Sequence, residues 1–157
     1  MHLAAFEGNS NFISWLIQSK ANVNAVDRWG NTPLVDAVKN LHELPAKILF
    51  ESGSTLTHDY ACSLLCDAAL RGDAPYLQLL HECGTDVQDC DYDRRTALHL
   101  AAAEGQLVSG DFLIFAKANI TFKDRWGNTA IDDAIRGGHY AVARLLQGVG
   151  GKPSVPF

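Results

Sequence analysis

The hexapeptide Asp27-Arg28-Trp29-Gly30-Asn31-Thr32 returns letter for letter as Asp124-Arg125-Trp126-Gly127-Asn128-Thr129, 97 residues later. A chain that repeats itself this way must be assembled from copies of one unit, and intermediate copies are present. Aligned on one alanine slot, they place Ala4, Ala37, Ala68, Ala101 and Ala134 at spacings of 33, 31, 33 and 33 residues. A glycine slot follows as Gly8, Gly72, Gly105 and Gly138, with Leu41 standing in the second copy, and a later apolar slot recurs as Leu16, Leu49, Leu80, Leu113 and Leu146. Periods of this length belong to repeat architectures, in which one unit cannot bury its own apolar face and neighbours must stack to do so.

The fourth copy shows what one unit is built to do. Asp91-Tyr92-Asp93-Arg94-Arg95 is a polar turn, Thr96 is placed to cap a helix opening with Ala97-Leu98, and the following alanines let a second helix pack closely. Gly105 ends that first helix, since glycine takes a left-handed backbone at little cost. His99 is expected to hydrogen-bond the Thr96 region and fix the turn rather than act as a base.

Five units follow in order: 1–26, 27–52, 53–83, 84–122 and 123–147, with a Gly/Pro-rich tail, 148–157, expected to be flexible. The first unit opens on His2-Leu3-Ala4-Ala5 without a preceding turn or cap, which leads to the expectation that the chain is a piece of something longer and that this unit, together with the shortened turn of the third, is the weak point of the stack. In the second, Pro33 and Pro45 suit first helical turns, where a missing N–H costs nothing, and Leu41 in the glycine slot predicts a looser or reshaped inter-helix turn. The third has a turn region, 53–62, two residues shorter than its neighbours, with Ser63 placed to cap. In the fourth, Arg94 replaces the turn glycine and Gly110 sits inside a helix, at about 0.5–1 kcal/mol relative to alanine.

The Thr96-Ala97-Leu98-His99-x-Ala101 pattern, with the 33-residue period, resembles the ankyrin repeat, over residues 1–147. The runs 91–105 and 123–129 are similar to the C-terminal ankyrin region of plant outward-rectifying potassium channels and to the ankyrin tail of animal glutaminases; Ala69-Leu70-Arg71-Gly72-Asp73 extends the channel resemblance. The resemblance implies an all-α solenoid of about five helix-turn-helix repeats with β-turn fingers, the first incomplete, and an accessory module with neither pore nor glutaminase catalytic domain in these residues. Departures from the pattern are Val35, Cys66 and Asp132 in histidine slots and Leu41 in the glycine slot.

Composition sets bounds on function. A net charge of −5 argues against nucleic acid or an anionic membrane as the main partner. No apolar run reaches membrane-spanning length. Cys62, Cys66, Cys83 and Cys90 need not pair in a fold held by stacking, so reduced thiols in a cytoplasmic protein are expected. Cys62 and Cys66, with His58, His81 and Cys83, lack the short Cys-x-x-Cys knuckles of a zinc site, and no metal or other cofactor is expected. Asp89-x-Asp91-x-Asp93 opens like a calcium loop, but Arg94 and Leu100 stand where that loop needs glycine and glutamate. Arg71-Gly72-Asp73 reads as an inter-helix turn. No nucleophile–base pair or phosphate-cradling loop is present, so no catalysis and no small-molecule substrate are expected.

The sequence therefore points to a protein-interaction module binding a protein partner through a concave finger and first-helix face. The second reading is a regulatory or oligomerising tail of a channel or enzyme, whose partner is another part of the same polypeptide or assembly. The expected finger-tip contacts are Arg28, Trp29, Asn31, Tyr92, Asp93, Arg95, Arg125, Trp126 and Asn128; Trp, Tyr and Arg are enriched at binding hot spots. The expected first-helix contacts are Asp36, Lys39, Asn40, Asp67, Arg71, Glu104 and Asp133. The competing expectation is that each tryptophan packs on its neighbouring finger.

Overall fold

The computed structural model describes residues 1–154; the end of the expected tail, 155–157, lies outside them. The described residues form ten helices in five antiparallel pairs: α1 (His2–Phe6) with α2 (Ser10–Gln18), α3 (Pro33–Lys39) with α4 (Glu43–Glu51), α5 (His58–Arg71) with α6 (Ala74–Glu82), α7 (Ala97–Ala103) with α8 (Leu107–Phe115), and α9 (Ala130–Arg136) with α10 (Tyr140–Gly148). The only β pairing among them is an isolated bridge between Cys90 and Thr96 at the base of one finger.

The helices fall into two compact units. In the first, residues 1–57 with 82–85, α1 packs on α3 and α2 on α4, and the first helices bury Ala4, Ala5, Ala37 and Val38. In the second, residues 58–81 with 86–154, α5 packs on α7, α7 on α9, and α8 on α10. Ala68, Ala101, Ala102 and Ala134 are fully buried there, small side chains that let the helices approach closely. Leu113 and Leu146 fill the space behind them from the second helices.

The helix ends explain most of the repeat signature. Thr96 and Thr129 sit in extended backbone and form capping boxes with His99 and Asp132. Each first helix closes with a left-handed residue whose N–H, and that of its successor, bond back: Gly105 N–H to Ala102 O at 3.3 Å and Gln106 N–H to Ala101 O at 2.8 Å. Leu41 corrects one expectation. Instead of reshaping its turn it adopts the glycine conformation, φ 58°, with the same pair of bonds, Leu41 N–H to Val38 O and His42 N–H to Ala37 O. Register wins over local preference at a cost of about 1–2 kcal/mol. Arg94 does the same in its finger, φ 59°.

The third repeat supplies the second correction. Ser63 caps nothing, because α5 starts at His58 and Ser63 lies inside it. Residues 58–62, His-Asp-Tyr-Ala-Cys, carry neither glycine nor proline, so the helix runs on through the place where the neighbouring repeats form a finger. Its 14 residues compare with 7 in α3, α7 and α9. At the other end of the chain, Gly148 closes α10, and Gly151 N–H bonds Leu146 O at 2.8 Å. Ser154 N–H then donates to Asp132, and Lys152 O accepts from the Thr129 hydroxyl at 3.2 Å.

Candidate functional site

The fingers are short loops locked by one aspartate each. Asp124 Oδ1 accepts from Trp126 N–H at 2.9 Å and Asn128 N–H at 2.8 Å, Asn128 Nδ2 donates to Oδ2 at 3.2 Å, and Asp124 N–H bonds Asn128 O at 2.9 Å. Asp27 repeats this with Trp29 and Asn31. Asp91 does it with Asp93 and Arg95. Burial alone would raise the pKa of Asp124, but the bonds from Asn128 and Trp126 outweigh it and hold the carboxyl below its ordinary value.

With the backbone tied internally, the tips project. Trp29 is 70% exposed and Trp126 63%, and Tyr92 is fully exposed. Neither tryptophan is core. Each ring carries the arginine that precedes it, with Arg28 Cζ 3.9 Å from the Trp29 ring centre and Arg125 Cζ 5.5 Å from that of Trp126. Within the second unit, successive fingers also join one another: Arg125 N–H donates to Asp93 O at 2.9 Å, and Arg125 Nη1 to Asp93 Oδ1 at 2.7 Å.

The first-helix residues divide into two kinds. Lys39, Asn40, Asp67, Arg71 and Glu104 are exposed, Asp67 and Arg71 as an ion pair one turn apart. Asp36 is half-buried against His2, whose Nδ1 lies 2.7 Å from its carboxylate. Asp133 differs from the outward position expected of it: it is buried, with Arg95 at 3.5 Å and Arg136 at 3.4 Å. Burial pushes its carboxyl up and the two guanidinium groups pull it back only in part. Around it, Arg95, Trp126, Asn128 and Arg136 line an open hollow of about 490 Å³. In the second unit, then, the structure brings Arg95, Trp126, Asn128 and Asp133 into one place. Arg28, Trp29, Asn31, Asp36, Lys39 and Asn40 stand in the first unit.

Sequence reasoning missed the side chains that link one repeat to the next. Gln88 clasps the turn after α8 through Lys117 O and Asn119 N–H, and Asn24 clasps the turn after α4 through Gly53 O and Thr55 N–H. Their common register, 64 residues apart, is the signal that could have found them. His42 reaches Phe6 O at 2.9 Å and Gln106 reaches Leu70 O at 3.0 Å from equivalent positions. His99, expected to be structural, is so: its Nδ1 lies 2.9 Å from Thr96 Oγ1, and its Nε2–H donates to Asn128 O at 3.2 Å.

Paired helices, glycine-closed turns and aspartate-locked fingers define a helix-pair repeat protein. Models of ankyrin repeats match residues 1–49 and 65–154, and the chain belongs to the ankyrin-repeat family. Over 87 residues, 55% of this chain, it is 42% identical to the potassium channel SKOR of Arabidopsis thaliana, covering 10% of that protein. Over 81 residues it is 48% identical to the mitochondrial liver-isoform glutaminase of Rattus norvegicus, covering 51% of this chain and 14% of that protein. An L-asparaginase of Dirofilaria immitis is 32% identical over 100 residues, 64% of this chain and 17% of the asparaginase. The chain thus spans a small fraction of the length of the curated relatives it matches. No helix among the described residues is long and apolar enough to cross a membrane.

Proposed function

We propose that the chain is a protein-binding module whose contacts are made by the finger tips and the exposed first-helix residues beside them, in a cytoplasmic setting. Ankyrin repeats are in general protein-interaction modules rather than catalysts. The observation that carries the reading here is the exposure of Trp126 on a finger whose backbone is already satisfied by Asp124. A ring held out on a rigid loop loses little conformational freedom on binding, which is what an interaction anchor requires. Arg125, Asn128 and Arg95 supply polar contacts around it, and Trp29 with Arg28 and Asn31 offers a similar set in the first unit.

The second reading is that the partner lies in the same polypeptide or assembly, with the repeats regulating or oligomerising a channel or enzyme. The small share of the potassium channel and the glutaminase that the similarity covers favours it.

The test is a photo-crosslinking amino acid placed at Arg125 and, as control, at the equally exposed Val108 on α8, with products identified in cells of the source organism. One protein captured from Arg125 and not from Val108, and lost on Trp126→Ala, is the expected result. Equal capture from both positions, or capture indifferent to Trp126→Ala, removes the finger from the interface.

A further inference from the structure

The helical run-on in the third repeat borders a cleft. The extra turns of α5 lie alongside the finger 91–95 of the next repeat, and the space between holds about 450 Å³, within the range of ligand sites. Its floor is Cys62, Cys66 and Cys90, with Leu70 and the fully exposed Tyr92 as walls. The thiols of Cys62 and Cys66 lie 4.0 Å apart, and burial pushes both up in pKa, so they present a neutral, apolar surface at physiological pH.

The rim is acidic. Asp59, Asp67 and Asp91 line the cleft, with Asp89 just behind, its carboxylate 2.9 Å from His58 Nε2. Against these carboxylates stand the guanidinium of Arg71, paired to Asp67, and the imidazole of His58. An apolar floor inside a negative rim selects a segment with an apolar side chain between cations and rejects the same side chain between carboxylates.

We propose that this cleft binds a short basic protein segment, an aromatic or branched aliphatic side chain lodged against Cys62, Cys66 and Cys90 while flanking lysines or arginines meet Asp59 and Asp67. The site lies apart from the tryptophan-bearing fingers but shares Asp67 and Tyr92 with the proposed interaction face, and in that respect rests on that reading.

The test is a titration of the full, isotope-labelled chain with the capped pentapeptide Lys-Lys-Phe-Lys-Lys, followed by backbone amide shifts. Expected are shifts confined to 58–70 and 90–92, and none at 124–128, where the tryptophan finger would respond. The controls Glu-Glu-Phe-Glu-Glu and Lys-Lys-Ser-Lys-Lys should bind far more weakly. Two exposed positions give variants that leave the fold intact, checked by circular dichroism: Ser63→Trp, which fills the cleft, should abolish the shifts. Asp59→Lys should weaken binding about fivefold, the upper range for one exposed charge pair. Binding that follows charge alone, with the serine peptide equal to the phenylalanine peptide, shows a diffuse acidic surface and overturns the proposal. So does binding unchanged by Ser63→Trp, and so does the absence of any shift at millimolar peptide.

Discussion

Gln88 holds Asn119 from both sides of one amide group: its Nε2 donates to Lys117 O at 2.7 Å, two residues before, and its Oε1 accepts from Asn119 N–H at 2.8 Å. Both backbone groups belong to the turn after α8, whose Lys117 and Ala118 N–H groups already bond back to that helix. Asn24 makes the same two bonds, at 3.0 and 3.2 Å, to the turn after α4. Glutamine and asparagine serve because a side-chain amide carries a donor and an acceptor on two separate atoms of one planar group.

Replacing Gln88 by alanine should therefore cost about 1–2 kcal/mol, two exposed bonds at the lower end of the usual net value. Gln88→Glu should cost about half as much, keeping the acceptor and losing the donor. Urea denaturation measures this as a lower midpoint at constant slope. An unchanged midpoint in the alanine variant would mean that water replaces the clasp without loss.

Two glycines predict opposite signs. Gly105 has φ 71°, and a Cβ there would lie 2.4 Å from His139 Nδ1, so Gly105→Ala should destabilise by about 2–3 kcal/mol. His139→Ala in the same chain should relieve the steric part and leave the backbone part. Gly110, inside α8, would put its Cβ 3.9 Å from Leu145 and Val142, ordinary contact distance. Gly110→Ala should stabilise by about 0.5–1 kcal/mol. Thermal melts of the three variants decide both signs.

Much of this was readable beforehand. The 33-residue spacing, the Thr96 cap and the Gly105 turn are local devices whose letters state their geometry. Leu41 was misread because backbone preference was weighed without the packing of α3 and α4, which fixes the turn whatever residue occupies it. Ser63 was misread because a capping residue has meaning only where a helix begins, and nothing between 58 and 62 stops one. Of the candidate site, the exposure of Trp29 and Trp126 was legible, since it follows from the turn. The site was not legible at Asp133, whose ion pairs come from Arg95, 38 positions earlier, and Arg136, nor at Cys90, which a missing finger brings next to Cys62.

Stability should respond to pH in two windows. Burial pushes His99 below its ordinary pKa, so the folded protein binds its proton less readily than the unfolded chain. That contribution is complete above about pH 6.5 and is lost as pH falls from there toward the folded value. Burial would raise Asp132, but bonds from Thr129 and Ser154 outweigh it and lower it, so its contribution is complete above about pH 4 and is lost as pH falls through the folded pKa. His99→Gln should flatten the upper window alone, and Asp132→Asn should reduce the lower alone, with Asp27 and Asp124 keeping the rest of it, read from denaturation midpoints at each pH.

The thiols should be slow to react in the folded state. Cys62 and Cys66 are buried and raised in pKa, and burial pushes Cys83 up to about 11. Only Cys90 is partly exposed. Ellman's reagent at neutral pH should therefore titrate one thiol quickly and all four after unfolding without reductant. Fewer than four would reveal a disulfide, and a stoichiometric metal in protein purified without chelator would contradict the reading of these residues as packing.

Because the aspartate of each finger bonds only backbone groups and its own loop, the outline of the loop does not depend on what stands at its tip. Arg-Trp-Gly after Asp124 and Tyr-Asp-Arg after Asp91 are carried on the same turn. Trp126 and Tyr92 can thus be exchanged without touching the turn, as a bit is changed in a fixed chuck, whereas Asp93 and Arg125 must change together because they join the two loops.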